Sequence, residues 1–363
     1  MHTLRQSKLE DFGELFEPKE ALEPILAKPV REALLEWLTE VWAENELKEL
    51  GIGPRRRAIF DGAPGVGKTT LAHHLAARLG LTMLAVRPER IITKWVGETG
   101  QLIGALFDLC SAKDDDPVVL FLDEFDSYSR QRRRGEQAAD DSRNEEVNTL
   151  LQRIEQHDGF LIAATNFGEH VDQAIWRRFD IHITLTLPGQ AERERILARY
   201  LAPFGLPKRS LAELATAFET ASPALIRQFC ENLKRQIVVG PLLRRDMARE
   251  AVIDRLVASV KPHPDLGRPR LWTLGAKDHA VKSLPWPLPR ALNVTEEAEL
   301  TADDAAAAGS QAARDGKPIV DNPFPFGDAR RARFDEGWRK ESGSDGLGNE
   351  GGEVVVLKPG RRH

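Results

Sequence analysis

Apolar residues recur in two rhythms along the first half of the chain. From Pro29 to Leu50, Val30, Leu34, Trp37, Leu38, Val41, Trp42 and Leu47 stand at helical spacing, and Gly51 follows as a stop. The segment predicts one helix. Beyond it come short apolar runs at Ala58–Phe60, Met83–Val86, Val118–Leu122, Phe160–Ala163 and Ile181–Leu187, separated by stretches long enough for helices. Their alternation with helices predicts an α/β domain around a mostly parallel sheet.

After Pro188 only the helical rhythm remains, over Ala191–Phe204, Ser210–Thr220, Pro223–Val239 and Arg245–Val260, which predicts a separate small helical domain. Pro262 and Pro264 end it, and the following stretch is too proline-rich for one regular element, with Trp272 and Trp286 expected to pack on the body. Near Thr301 an N-cap threonine, acidic first-turn residues, an alanine run and a closing Gly316 spell another helix, and a second is expected from Asp328 to Lys340. The layout is therefore an N-terminal extension (1–28), an α/β domain (29–188), a helical domain (189–261), a proline-rich linker (262–300) and a two-helix module (301–342). A Gly/Ser-rich tail (343–363) follows, with a strand-like run at Val354–Leu357; no internal repeat is visible.

Composition narrows the setting. With 363 residues the chain is long enough for roughly two domains of ~100–200 residues each. A net charge of −5 supplies no bulk attraction to nucleic acid or anionic lipid, so such contacts need a local patch. The only cysteines, Cys110 and Cys230, lie in apolar runs, which argues against a disulfide framework or a cysteine zinc site and fits a reducing cytoplasm. No run has the ~20 apolar residues that cross a bilayer, and the first thirty positions carry charges throughout. The expectation is a soluble cytoplasmic protein with no membrane contact.

The chemistry begins at "GAPGVGKT", residues Gly62, Ala63, Pro64, Gly65, Val66, Gly67, Lys68 and Thr69, with Thr70 next. It lies between a strand and a helix, where glycines let backbone N–H groups curl around phosphate oxygens and the helix N-terminus adds a favourable dipole. Lys68 would reach the β- and γ-phosphates of ATP, and the Thr69 hydroxyl would bind Mg²⁺. Further on, the strand "VVLFLDEFD" ends in two carboxylates: Asp123 for Mg²⁺ through its water shell and Glu124 to polarise the attacking water, with Asp126 assigned to local structure. The strand "FLIAATN" ends in Asn166, whose neutral amide can donate to the γ-phosphate and orient water. Arg177 and Arg178 then precede another strand, facing either solvent or a neighbouring subunit's γ-phosphate.

In this order and spacing "GAPGVGKTT", "TKWVGET", "LFLDEFDSYS", "AATN" and "DQAIWRRFD" resemble the AAA+ ATPases, over about Pro29 to Val260. The likeness is to the AAA clade that contains katanin, spastin and the proteasomal and FtsH-type unfoldases, most of all to bacterial members encoded beside subtilisin-like peptidases. The resemblance implies a P-loop sheet of order 5-1-4-3-2, a C-terminal helical lid, and homo-oligomers, typically hexamers, with ATP at subunit boundaries. It also implies threading of a polypeptide client, with an associated peptidase as a further partner. "KWVG" stands where the family has its first pore loop, so Trp95 and Val96 would grip substrate; the rival reading packs Trp95 in the core. Two departures are visible. The paired arginines are adjacent rather than separated by Pro-Gly, which leaves open which one reaches across. In the lid, "TASPALIRQFC" replaces the usual Gly-Ala-Asp pattern and carries Arg227, which either touches the γ-phosphate in cis or faces solvent.

Residues 305–338 resemble a ribosome modulation factor-like module, with a Gly/Ala helix, an Asn-Pro-aromatic turn and a second helix ending Gly-Trp. Phe334 and Trp338, one helical turn apart, are expected to pack on the alanine helix. Arg330, Arg331 and Arg333 would form a basic patch that either meets RNA phosphates or is simply solvated. Two functional readings follow. One is an ATP-dependent remodeller; the other is an ATP-binding switch or scaffold that recruits protein or RNA through residues 301–342. A small-molecule kinase leaves "KWVG", Asn166 and the arginine pair unexplained.

Overall fold

The computed structural model describes residues 7–92, 98–111, 117–129, 148–166, 173–290, 302–317, 319, 322, 324 and 329–342. These fall into two compact units, one holding residues 1–17 and 23–292 and the other 18–22 and 293–363.

The larger unit is built on a six-stranded sheet: β1 (Gly13–Phe16), β2 (Arg57–Gly62), β3 (Thr82–Val86), β4 (Val118–Leu122), β5 (Leu161–Thr165) and β6 (Ile181–Leu185). Their order is β1-β3-β4-β5-β2-β6. The five predicted strands run parallel, and β1 joins antiparallel at the β3 edge, Gly13 opposite Val86 and Phe16 opposite Met83. That sixth strand departs from the expected five-strand order, and it escapes the sequence because four residues reading GELF have no apolar run. The ladder to β3 makes the strand. Gly13 is needed there, since a Cβ would stand 2.1 Å from the Ala85 carbonyl oxygen.

Every residue of β4 and β5 is buried, whereas the outer strand β6 alternates buried and exposed, as its IHITL sequence requires. Alternate strand residues feed two cores. Leu120, Leu122, Leu161 and Ala163 face one with Ile103, Leu106 and Phe107 of α4 (Glu98–Leu109). Val119, Phe121 and Ile162 face the other. That second core holds Leu34, Trp37 and Leu38 of α1 (Lys28–Trp42) and Leu71 and Leu75 of α3 (Lys68–Leu79). The single helix expected over Pro29–Leu50 is two, because Ala43 breaks it before α2 (Glu44–Glu49).

The helical part comprises α5 (Gln190–Leu201), α6 (Lys208–Ala217), α7 (Pro223–Leu242) and α8 (Arg249–Ser259) around Leu214, Phe218, Ile226, Phe229 and Ile253. Ser222 caps α7, its Oγ accepting from the Leu225 N–H. The proline-rich stretch up to Arg290 joins this core as short helical pieces, among them Arg270–Leu274 and His279–Lys282. Trp272 is buried and donates its indole N–H to the Val260 carbonyl at 2.6 Å, and Trp286 donates to Met247 at 2.8 Å. Both tryptophans pack on the body as expected.

The smaller unit pairs α9 (Ala302–Arg314) with α10 (Ala329–Ser342). Their backbones cross at Gly309 and Gly337, where a Cβ would stand 2.0 Å from the Phe334 carbonyl oxygen and 1.9 Å from that of Ala306. Phe334 and Trp338 fill the core against Ala305 and Ala308. The expected arginine patch does not form one face. Arg331 is buried and donates to the Phe324 carbonyl, Arg330 lies over the Phe324 ring, and Arg333 pairs with Glu336 at 2.9 Å. Helical spacing turns the middle arginine inward. Among the described residues no helix is long and apolar enough to cross a membrane.

Candidate nucleotide site

The site opens where β2 ends between β5 and β6. Gly62 must be glycine, because its φ is +150° and a Cβ would stand 2.3 Å from the Leu185 carbonyl oxygen. Gly65 and Gly67 also have positive φ, of +77° and +103°. Gly67 hands the chain to α3, while buried Val66 anchors the loop in the core. The result is a glycine loop curling into a helix N-terminus, a cradle for phosphate.

Lys68 crosses this cradle. Its ammonium donates to the Gly62 carbonyl at 2.6 Å, the Ala63 carbonyl at 3.2 Å and Asn166 Oδ1 at 2.8 Å. Burial lowers its pKa from the ordinary lysine value, opposed by the negative charges of Asp123, Asp126 and Asp61. With Oδ1 of Asn166 taken, its Nδ2 is the group left to donate. Thr69 Oγ1 stands 3.4 Å from Asp123 Oδ2, so hydroxyl and carboxylate converge beside the cradle. Asp123 Oδ1 accepts from the Glu124 N–H at 2.9 Å. These hard oxygen donors fit Mg²⁺, which takes few protein ligands and keeps its waters.

Glu124 is exposed at the strand end with φ of +47°, a left-handed conformation uncommon for a glutamate. Such strain belongs to positions that must aim a side chain. Asp126 differs. It is buried and accepts from the Thr165 hydroxyl, as a local structural residue should.

A cleft of about 360 Å³ collects Pro64, Gly65, Gly67, Lys68, Thr69, Thr70, Asp123, Glu124 and Asn166 on one side. Its other side comes from the helical part: Tyr200 on α5, and Pro223, Ala224 and Arg227 on α7. The Ala224 N–H donates to the Gly65 carbonyl at 3.1 Å and pins the α7 start to the phosphate loop. Arg227 thus lines the cleft while pairing with Glu231 at 3.2 Å. Tyr200, Pro223 and Ala224 were missed from sequence; the Ser-Pro start of α7 marks a helix but not what it docks against.

Arg177 and Arg178 are not among the residues lining this cleft. Arg178 is half-buried and paired with Glu155 at 2.5 Å, whereas Arg177 is exposed and has no ion pair among the described residues. Trp95 and Val96 lie outside the described residues.

A parallel sheet whose strand ends present a glycine loop, a lysine, a Thr–Asp pair and an asparagine defines the P-loop class of nucleotide-binding domains. Residues 58–187 match the model of the ATPase family associated with various cellular activities (AAA). The chain is 38% identical over 191 residues to an uncharacterized AAA family ATPase, y4kL, of Sinorhizobium fredii, covering 52% of this chain and 56% of that protein. It is 30% identical over 231 residues to the proteasome-activating nucleotidase of Methanopyrus kandleri, covering 61% of this chain and 49% of that one. The chain thus spans about half the length of these curated relatives. The crystal structure of the FIGL-1 AAA domain in complex with ADP superposes with a TM-score of 0.55 at 21% identity, over 72% of this chain and 91% of that one, a likeness of fold.

Proposed function

We propose that this chain hydrolyses ATP to ADP and phosphate at the boundaries of a homo-oligomeric ring, a hexamer, and uses the cycle to remodel or thread a polypeptide client. The observation that carries the reading is a half-complete site. Lys68, Thr69, Asp123, Glu124 and Asn166 converge on one cleft, while exposed Arg177 lies outside it. Lys68 would bind the β- and γ-phosphates, giving up its Asn166 contact so that the amide faces the γ-phosphate. Thr69 and Asp123 would hold Mg²⁺, which supplies charge neutralisation on the phosphates when bound. Glu124 takes the proton of the attacking water. Arg177 reaches the neighbour's γ-phosphate and Arg178, held by Glu155, positions the turn that carries it; Arg227 contacts the nucleotide from the lid. The sequence KWVG, with Trp95 and Val96, grips the client.

The test is Glu124→Gln, expected to retain ATP and to slow hydrolysis by about 10²–10⁴-fold, since an amide cannot accept the water's proton. Near-normal turnover would sink the assignment. Unfolded polypeptide should raise the rate of the native chain and leave that of Trp95→Ala unchanged. A second reading has its own observation: the α9–α10 pair closes a separate core, as a recruiting module would. In that reading the chain is an ATP switch that binds protein or RNA through residues 301–342, and client would not change its turnover.

A further inference from the structure

A pair of rings that the nucleotide cleft does not use lies beside Arg177. Arg177 and Arg178 follow the single helical turn Gln173–Trp176, the Arg177 N–H bonding the Gln173 carbonyl at 3.2 Å and the Arg178 N–H that of Ile175 at 2.9 Å. Ile175 and Phe179 are buried, and Phe179 packs edge to face on Phe125 with ring centroids 5.6 Å apart. Arg178 pairs with Glu155, and Asp180 with Arg57 of β2 at 3.1 Å. Trp176 is half-buried against the same core and stacks with His182 of the edge strand β6, ring centroids 4.4 Å apart and planes at 42°. His182 Nε2 lies 3.1 Å from the Trp176 carbonyl oxygen, and because a carbonyl only accepts, Nε2 carries the hydrogen. The same carbonyl accepts the Phe179 N–H at 3.3 Å. Exposed between buried Ile181 and Ile183, His182 fills no core, and its ring is turned to Trp176.

We propose that His182 is a positioning residue for ATP hydrolysis: it fixes the peptide between Trp176 and Arg177 and so sets the direction in which Arg177 leaves its own subunit. The inference rests on the reading that Arg177 acts on a neighbour's γ-phosphate. The Trp176 carbonyl and the Arg177 nitrogen belong to one planar peptide unit, so a bond that holds the oxygen also orients the start of Arg177. The stacked ring stiffens the same unit from its other end, since the indole cannot swing while His182 lies on it. An arginine that works across a boundary is aimed by its own turn and not by its own cleft. The aim matters, because a group displaced by about 1 Å from its reacting partner can lose about 10²-fold in rate.

The test is His182→Ala in the full chain. Turnover at saturating ATP and Mg²⁺ should fall by about ten-fold or more, while affinity for a fluorescent ATP analogue stays within about two-fold, because His182 lines no part of the cleft. His182→Asn keeps an N–H for the carbonyl and His182→Phe keeps the ring; each should recover part of the loss, and the two carry the test if the alanine chain does not fold. The double variant His182→Ala with Arg177→Ala should be no slower than Arg177→Ala alone, since a residue that acts through another has nothing left to act on. A histidine with a merely structural role would add its own loss, and that additivity overturns the proposal. Native turnover in His182→Ala beside slow Arg177→Ala also overturns it and leaves the trans arginine standing. Native turnover in Arg177→Ala removes the trans arginine and the positioning role together.

Discussion

The two sides of the nucleotide cleft are built differently. On the strand side, Asp123 and Asn166 follow the ends of adjacent parallel strands and meet Thr69 and Lys68 at the start of α3, and Lys68 also bonds the loop carbonyls. On the lid side, Tyr200, Pro223, Ala224 and Arg227 come from two helices of a separate core. The backbone bond from Ala224 to Gly65 is the one hydrogen bond joining those four to the loop among the described residues. One side is assembled by the sheet and the loop that follows β2. The other is a wall supplied by a second core.

Lys68→Ala should break the strand side outright. It removes the cation of the cradle and leaves Asn166 Oδ1 and two loop carbonyls without their donor, so ATP affinity should fall by about 10²-fold or more in a titration with a fluorescent analogue. A modest loss would mean the glycine loop alone holds the phosphates. Gly65→Ala tests the seam between the sides. The new Cβ would lie 2.9 Å from the Ala224 Cβ and 3.0 Å from Ser222 Oγ at a positive φ, which costs about 1–3 kcal/mol. Affinity should fall by roughly ten-fold, with faster amide exchange at the start of α7 and little change in the sheet. Slower exchange there would mean that the wall is not hinged at this contact. Arg227→Ala should have the smallest effect, since the side chain is about half exposed and its pairing with Glu231 contributes only about 0.3–0.5 kcal/mol. A fall of a few-fold in turnover with unchanged melting would make Arg227 a reader of the γ-phosphate, and no change would leave it a surface residue.

The strand side was legible because its signals are local. A glycine loop between an apolar run and a helix, and carboxylates closing another run, specify geometry over a few residues. The five parallel strands were visible for the same reason, four as short apolar runs and β6 as an alternating one. The same locality accounts for Trp338 and Phe334 in the smaller unit, one turn apart against an alanine helix.

What the sequence by itself determined was therefore the P-loop, the carboxylate pair, the asparagine that follows β5 and the alternation of strands and helices, since each is a short-range pattern of backbone freedom and burial. Tertiary structure decided the rest. GELF becomes β1 only because the edge of β3 offers it unpaired backbone groups. Tyr200 and Ala224 reach the nucleotide cleft only because two cores meet there, and Arg177 and Arg178, neighbours in sequence, part company only because Glu155 stands within reach of one of them. These are long-range contacts, and no spacing along the chain encodes which distant surface a side chain will meet.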